Sequence, residues 1–380
     1  MAADAIARFS FPTEIHFGPG ARRLVAPHLA EHGVRRPLVV TDRGLRELPL
    51  LGEFVAGLDA LESFVYAGVH GNPVPKQVED GVAAFREHAA DAVIGFGGGA
   101  ALDVAKAVAL MSAHEGSILE YAWDHPHARK IERPLPWLVA LPTTSGTGSE
   151  VGRSAVISEE GSGVKRIVFS PALLAKAVFA DPELTLALPA PVTAATGMDA
   201  LTHNVESWLS PAYHPICDGI ALEGARLAAR ALEAAVAQPR DLVARADMMM
   251  ASMMGAIAFQ KDLGAVHSCA HALGTVVDMH HGLANGIMID HVMRFNREAA
   301  EAKMAELARV CGAGASGADF VQWLAALKAR IGIPARLAER GVERRHVARL
   351  VEVAFADTCH RTNPRPCAAA DFERIFTAAL

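Results

Sequence analysis

Five short apolar runs, rich in β-branched residues, recur between residues 37 and 180. They are Pro37-Leu38-Val39-Val40-Thr41, Ser63-Phe64-Val65-Tyr66, Ala92-Val93-Ile94-Gly95-Phe96, Trp137-Leu138-Val139-Ala140-Leu141 and Ala177-Val178-Phe179-Ala180. Bounded by Gly, Pro or Asp, such runs read as buried strands of a mostly parallel sheet. Segments 76–89 and 102–112 between them carry helical periodicity. The alternation predicts a Rossmann-like α/β domain. After Pro189-Ala190-Pro191 the pattern changes to Ala, Leu and Met at helical spacing, over 221–237, 242–259, 299–310, 320–331 and 342–356. The expected organisation is therefore an α/β domain over 1–188 and an all-α domain over 189–380. Segment 11–17 reads as an edge strand that could pair across a two-fold axis.

Composition narrows the possibilities. Of 380 residues 51% are hydrophobic and 21% charged, enough apolar material for two cores, with a net charge of −6. The absence of a basic block argues against a nucleic-acid or anionic-membrane surface. The longest uninterrupted apolar runs, such as 107–111, fall short of the ~20 residues that span a bilayer. The opening Met1-Ala2-Ala3-Asp4 does not resemble a signal peptide. Five cysteines, at 217, 269, 311, 359 and 367, form neither a disulfide framework nor a CxxC zinc motif. A cytoplasmic protein is expected. Histidine is abundant, with 17 copies and five of them between His267 and His291, so metal chemistry here would use nitrogen and oxygen ligands.

Three loops at strand ends suggest a nucleotide site. Gly95-Phe96-Gly97-Gly98-Gly99-Ala100 ends one strand and opens a helix, where bare N–H groups and the helix dipole accept phosphate. It follows the third of these strands rather than the first, so the dinucleotide fingerprint itself is not met. Asp42, at the end of the first, could accept both ribose hydroxyls of an adenosine and would repel a 2′-phosphate, favouring NAD over NADP. Residues 142–150 carry the hydroxyls of Thr143, Thr144, Ser145, Thr147 and Ser149 at a third strand end.

Asp199 and His203 stand at i and i+4, on one helical face; His267 and His271 repeat the spacing, and His280-His281-Gly282 follows. One carboxylate with three imidazoles suits Fe²⁺, Zn²⁺ or Mn²⁺. Spacing leaves open which three of His203, His267, His271, His280 and His281 bind.

Taken together, the motifs resemble the iron-containing (group III) alcohol dehydrogenase family, nearly end to end. The resemblance rests on Phe17-Gly18-Pro19-Gly20, Asn72-Pro73, Gly97-Gly98-Gly99 with Asp103 and Lys106, and Thr143 through Glu150. It continues in Asp181-Pro182-Glu183-Leu184-Thr185, Gly197 through Glu206, His267-x-x-x-His271, His281-Gly282-Leu283-Ala284-Asn285 and Asn363-Pro364-Arg365. It implies a dehydroquinate-synthase-like architecture, NAD and Fe²⁺ (or Zn²⁺) as cofactors, and a homodimer or larger homo-oligomer. It further implies Asp199, His203, His267 and His281 as metal ligands, and His271 beside the nicotinamide as a proton relay. Cofactor contacts are expected from Asp42, Gly97, Gly98, Gly99 and Asp103, and from Thr143, Thr144, Thr147, Ser149 and Lys165. The chain departs from the family in two places: His280 replaces a proline before the last ligand, and Ala100 replaces a serine after the glycines.

Other segments look like bacterial 4-hydroxybutyrate dehydrogenases within that family. They are Glu150-Val151 with Arg153, Asp218-Gly219-Ile220-Ala221-Leu222, Phe259-Gln260-Lys261, His280-His281-Gly282 and Cys359-His360-x-Thr362-Asn363-Pro364. A short ω-hydroxy acid and its semialdehyde are then the expected substrates, with Arg153 and Lys261 as candidates to hold the carboxylate. The alternatives are a dehydrogenase of neutral alcohols, a metal-free maleylacetate reductase, a dehydroquinate-synthase-like lyase and a non-enzymatic binding protein. The complete Asp/His set argues against the second, and the lack of a basic phosphate cluster against the third.

Overall fold

The computed structural model describes Phe11 and residues 13–380; the N-terminal tetrapeptide lies outside the described residues. The strands are β1 (Glu14–Phe17), β2 (Pro37–Asp42), β3 (Phe64–Val69), β4 (Ala92–Gly97), β5 (Trp137–Pro142), β6 (Ser154–Ser158), β7 (Lys165–Phe169) and β8 (Ala177–Ala180). The helices among them are α1 (Val25–Glu31), α2 (Arg43–Arg46), α3 (Pro49–Ala56), α4 (Pro75–Glu87) and α5 (Gly99–Ala113). The remainder is helical: α6 (Ala190–Leu209), α7 (Pro215–Ala237), α8 (Leu242–Ala258), α9 (Ala265–Val277), α10 (His281–Val310), α11 (Gly317–Arg330), α12 (Val347–Ala356) and α13 (Ala369–Ala379). Contacts group residues 13–144 with Gly148–Thr185 in one unit, and Ser145–Thr147 with Leu186–Leu380 and Phe11 in the other.

In the α/β unit six parallel strands lie in the order β1-β8-β5-β4-β2-β3. The chain steps from β2 outward to β3, then returns past β2 to β4 and on to β5, so the order reverses between β2 and β4. Open α/β sheets bind ligands at the carboxyl ends of strands flanking such a reversal. β4 is buried along its whole length, and α5 is buried on almost every face, which explains their unbroken apolar runs. The antiparallel hairpin β6–β7 was not visible as strands in the sequence pattern: its polar ends and the Gly161 and Gly163 turn hide the alternation. Among the described residues β1 pairs with β8 alone and stands at the sheet's edge.

In the helical unit, α6 is buried at nearly every position from Thr193 to Leu209, and the core runs from Met198 and Leu201 through α7, α9 and α10 to Phe372 and Phe376. The expected helix at 299–310 is the second limb of α10, which breaks at Ala300 (φ −128°, ψ 20°). Among the described residues one stretch, Leu242–Lys261, is long and apolar enough to cross a membrane. It contains Arg245 and Asp247, and 56% of its apolar window is buried within the protein, as in a core helix.

Candidate metal centre and nucleotide loops

At the reversal point β4 ends in Gly97, at φ +151°. A Cβ there would lie 2.7 Å from the Ala101 Cβ and 3.3 Å from Asp42 Oδ2, so only glycine fits. Gly98 is the N-cap of α5 and offers no side chain to its first turn, whose N–H groups therefore lack a side-chain cap. A phosphate supplies what such an end lacks. Asp42 sits beside this loop because β2 and β4 are neighbours. Its Oδ1 caps α2 by accepting from Leu45 N (2.9 Å), which leaves Oδ2 as the oxygen for a ligand hydroxyl. Thr143 N donates to Gly97 O (3.0 Å), drawing the β5 loop onto the glycines, and Thr144 lies against Gly98.

Three predicted cofactor residues prove to be linked to one another inside this unit. Asp103 accepts from Ser149 Oγ (2.6 Å) and from Val156 N (3.0 Å), which engages both its oxygens. Lys106, also buried, donates to Ser149 O, Ser149 Oγ and Ser154 O at 2.6–2.8 Å. Lys165, on β7, adds positive charge near Asp103. The network pins the hydroxyl-rich loop to α5 and β6, so Asp103 and Ser149 position the loop. Ala100, where the family has serine, begins the same helix. Thr147 belongs by its contacts to the helical unit.

Glu150, next to this network, is 1% exposed, and its Oε1 lacks a hydrogen-bond partner. Burial pushes its carboxyl up to about 7, only partly offset by its own backbone N–H and by Lys106. Between its ordinary value of 4.5 and about 7 the folded state holds a proton that the unfolded chain has lost, so stability falls as pH rises through that window. Glu150→Gln should abolish this slope. Melting temperatures measured from pH 4 to 9 should show the variant gaining on wild type above pH 7 and converging with it below the window; parallel curves would refute this.

In the helical unit, α6 carries Asp199, His203 and Glu206 along one buried face. α9 brings His267, and the first turn of α10 brings His281. Gly282 allows that approach: a Cβ there would strike Ala195 O at 2.3 Å. The three Nε2 atoms converge on one oxygen, Asp199 Oδ1, at 3.9 Å (His203), 3.8 Å (His267) and 3.4 Å (His281). Ligand atoms around a tetrahedral ion with ~2.1 Å bonds stand about 3.4 Å apart, so the donor set fits a divalent metal. Asp199, His203 and His267 by themselves form a candidate metal-binding group.

The protonation state of His203 suits that role. Burial lowers His203 to about 4, so it is neutral at pH 7. Burial opposes charge on His267 too, but its hydrogen bond to Glu206 and the nearby carboxylates outweigh it and raise the pKa. His267 Nδ1 donates to Glu206 Oε2 at 2.6 Å, which leaves Nε2 as the ring atom that faces Asp199. Glu206 also accepts from Val266 N (2.7 Å) and His267 N (3.3 Å), and Asn363 Oδ1 accepts from Ala265 N (3.2 Å). Together these two side chains cap the amino end of α9.

His271, a turn beyond His267, donates from Nδ1 to Asp357 Oδ2 (2.8 Å), and its ring stacks on that of His281 at 5.3 Å. Asp357 also accepts from Ser268 Oγ (2.7 Å) and Cys359 N (2.8 Å). Burial alone would raise the Asp357 pKa, but these partners hold it well below the usual carboxylate range. His280 is exposed and caps α10 by accepting from Leu283 N (3.4 Å), so of the adjacent pair it is His281 that faces Asp199.

The two substrate candidates part company. Lys261 is 1% exposed and its ammonium forms an ion pair with Asp218, another residue of the same resemblance, so its charge is already neutralised inside the helical unit. Arg153 lies over the exposed Phe169 ring (5.7 Å), and among the described residues no carboxylate pairs with it.

Residues 12–182 match the family described as iron-containing alcohol dehydrogenase, and residues 193–380 match the C-terminal region of the Fe-containing alcohol dehydrogenase family. The chain is 38% identical over 377 residues to 4-hydroxybutyrate dehydrogenase of Cupriavidus necator, covering 97% of this chain and 98% of that protein. It superposes on a crystal structure of 1,3-propanediol oxidoreductase with a TM-score of 0.94 at 35% identity, over 99% of this chain and 100% of that one. Sulfoacetaldehyde reductase from Bifidobacterium kashiwanohense, in complex with NAD⁺, gives a TM-score of 0.90 at 27% identity over 99% of both chains.

Proposed function

We propose, from the premise that this chain belongs to the iron-containing alcohol dehydrogenase family, that its substrates are a short ω-hydroxy acid and the matching semialdehyde, 4-hydroxybutyrate and succinic semialdehyde being the first choice. The protein is an NAD-dependent, metal-dependent oxidoreductase acting on a primary alcohol and its aldehyde. The observation that carries this activity is the convergence of three imidazole Nε2 atoms on Asp199 Oδ1.

Asp199, His203, His267 and His281 would hold the ion, Fe²⁺ or alternatively Zn²⁺. When bound, the metal acts as a Lewis acid that polarises a carbonyl or acidifies an alcohol, and the nicotinamide exchanges hydride with the substrate carbon. Gly97, Gly98 and Gly99 would seat the pyrophosphate against the α5 amino end, with Asp42 Oδ2 on the adenosine ribose. His271, its Nδ1 proton held by Asp357, keeps Nε2 as the ring atom that passes a proton. A homodimer and a cytoplasmic location belong to the same reading, supported by the position of β1 at the sheet's edge among the described residues and by five free cysteines.

The acidic substrate is supported by the relative acting on 4-hydroxybutyrate and by Arg153, a cation without a carboxylate partner among the described residues. The test is an NADH-oxidation screen of metal-reconstituted protein over C2 to C6 aldehydes with and without a terminal carboxylate. Succinic semialdehyde should exceed butanal in kcat/KM by about tenfold or more, since a charge-assisted hydrogen bond contributes ~1.5–3 kcal/mol. Equal values would favour the neutral-alcohol reading, and no net NADH change on any aldehyde would favour the lyase. Arg153→Ala should raise KM for succinic semialdehyde about 10- to 100-fold and leave that for butanal unchanged; an unchanged KM for both would remove Arg153 from the substrate site.

A further inference from the structure

One turn after His281, α10 presents Asn285, fully buried, to the same cage. Its Nδ2 stands 2.7 Å from Asp199 Oδ1, 3.2 Å from His281 Nε2 and 3.3 Å from His267 Nε2. These separations are as short as those expected between atoms sharing one ion, and shorter than the 3.4–3.9 Å between Asp199 Oδ1 and the histidines. The amide head therefore has the spacing of a further ligand.

The other end of the amide is equally informative. Asn285 Oδ1 is buried and lacks a hydrogen-bond partner. An amide nitrogen suits a carboxylate oxygen, to which it donates. A divalent cation reverses the preference, because it repels the N–H₂ dipole and attracts the carbonyl oxygen, which is a regular ligand of hard cations. A half-turn of the planar amide exchanges the two atoms with almost no change of shape.

We propose that Asn285 is an additional member of the metal site, its carbonyl oxygen turned onto the bound ion. This rests on the metal-site reading above. It adds an oxygen donor to the one carboxylate and three imidazoles, which favours a borderline ion such as Fe²⁺ over a strictly tetrahedral one.

The test uses Co²⁺ as the probe, titrated into chelator-stripped full-length protein and followed by its visible d–d absorption. Asn285→Ala should weaken Co²⁺ binding about tenfold or more and intensify the band, as expected on loss of one ligand. Asn285→Asp, which keeps the shape and an oxygen, should retain the wild-type band and bind at least as tightly. Circular dichroism of the metal-free proteins controls for folding, and Asn285→Asp carries the test should the alanine variant fail to fold. Weaker binding with an unchanged band would overturn the proposal, since the amide would then serve only as a donor to Asp199. Unchanged binding and band would overturn it as well. Failure of the wild-type protein to bind Co²⁺ would instead refute the metal-site reading, so the two failures are distinguishable.

Discussion

Asp199→Ala is expected to abolish metal retention and lower turnover about 10³-fold or more, while the metal-free protein melts no lower than wild type. The first part follows from the geometry, since Asp199 Oδ1 is the one anionic atom on which the three imidazoles converge. Lewis-acid activation contributes several kcal/mol of charge stabilisation, and each ~1.4 kcal/mol is a factor of ten in rate. The second part follows from burial. The Asp199 side chain is 3% exposed and its hydrogen-bond donor is the neutral Asn285 amide. Without a metal, deleting a buried carboxylate whose hydrogen-bond donor is a neutral amide is close to neutral for stability. Metal content after gel filtration, together with melting curves with and without added metal, separates this from a structural salt link. A lowered melting temperature of the metal-free variant, with metal content preserved, would contradict the assignment.

Glu206→Gln should be the most damaging change that adds or removes no volume. The carboxylate accepts three hydrogen bonds, from Val266 N, His267 N and His267 Nδ1, and is 2% exposed. A glutamine has one acceptor oxygen, so its NH₂ must face either the backbone donors of α9 or the imidazole donor. If it faces the ring, His267 is driven to the other tautomer, whose Nε2–H points at Asp199 where a lone pair is needed. If it faces the backbone, the α9 end loses its cap. Metal affinity should fall about 10- to 100-fold, and the metal-free protein should lose ~1–3 kcal/mol of stability for a buried unsatisfied group. Isothermal titration with Zn²⁺ and chemical denaturation of the metal-free protein test the two effects separately. Wild-type values in both would mean that Glu206 does not set the His267 tautomer.

Much of this site was legible because its signals are local. The i, i+4 spacing of Asp199 and His203 needs only a helix to bring the pair together, and α6 provides one. The glycines of 97–99 announce a strand-to-helix turn, which β4 and α5 form. Glu206 was missed although its signal was present: it follows His203 by three residues on the same helical face, and an acid on a buried face requires a partner. Asp357 left no such trace, being separated from His271 by 86 residues and joined to it only by the packing of α12 on α9. The choice between His280 and His281 likewise had no local answer. One imidazole caps the turn and the other faces Asp199, and which does which depends on how closely Gly282 lets α10 approach α6.

Charge shows the same division. Lys261 and Arg153 are equivalent as letters, but one meets Asp218 in the interior while the other lies on an exposed ring. What the sequence by itself determined is whatever repeats within a turn of helix or a strand: the parallel α/β half, the helical half, the glycine turn between β4 and α5, and the Asp/His donor set. The tertiary structure alone decided which histidine faces the carboxylate, which acids orient the imidazoles, which cation is neutralised and where Asn285 points. The reason is range. Backbone periodicity is set by neighbours a few residues away, whereas a hydrogen bond between buried side chains depends on how separate elements pack, and its partner can lie anywhere in the chain.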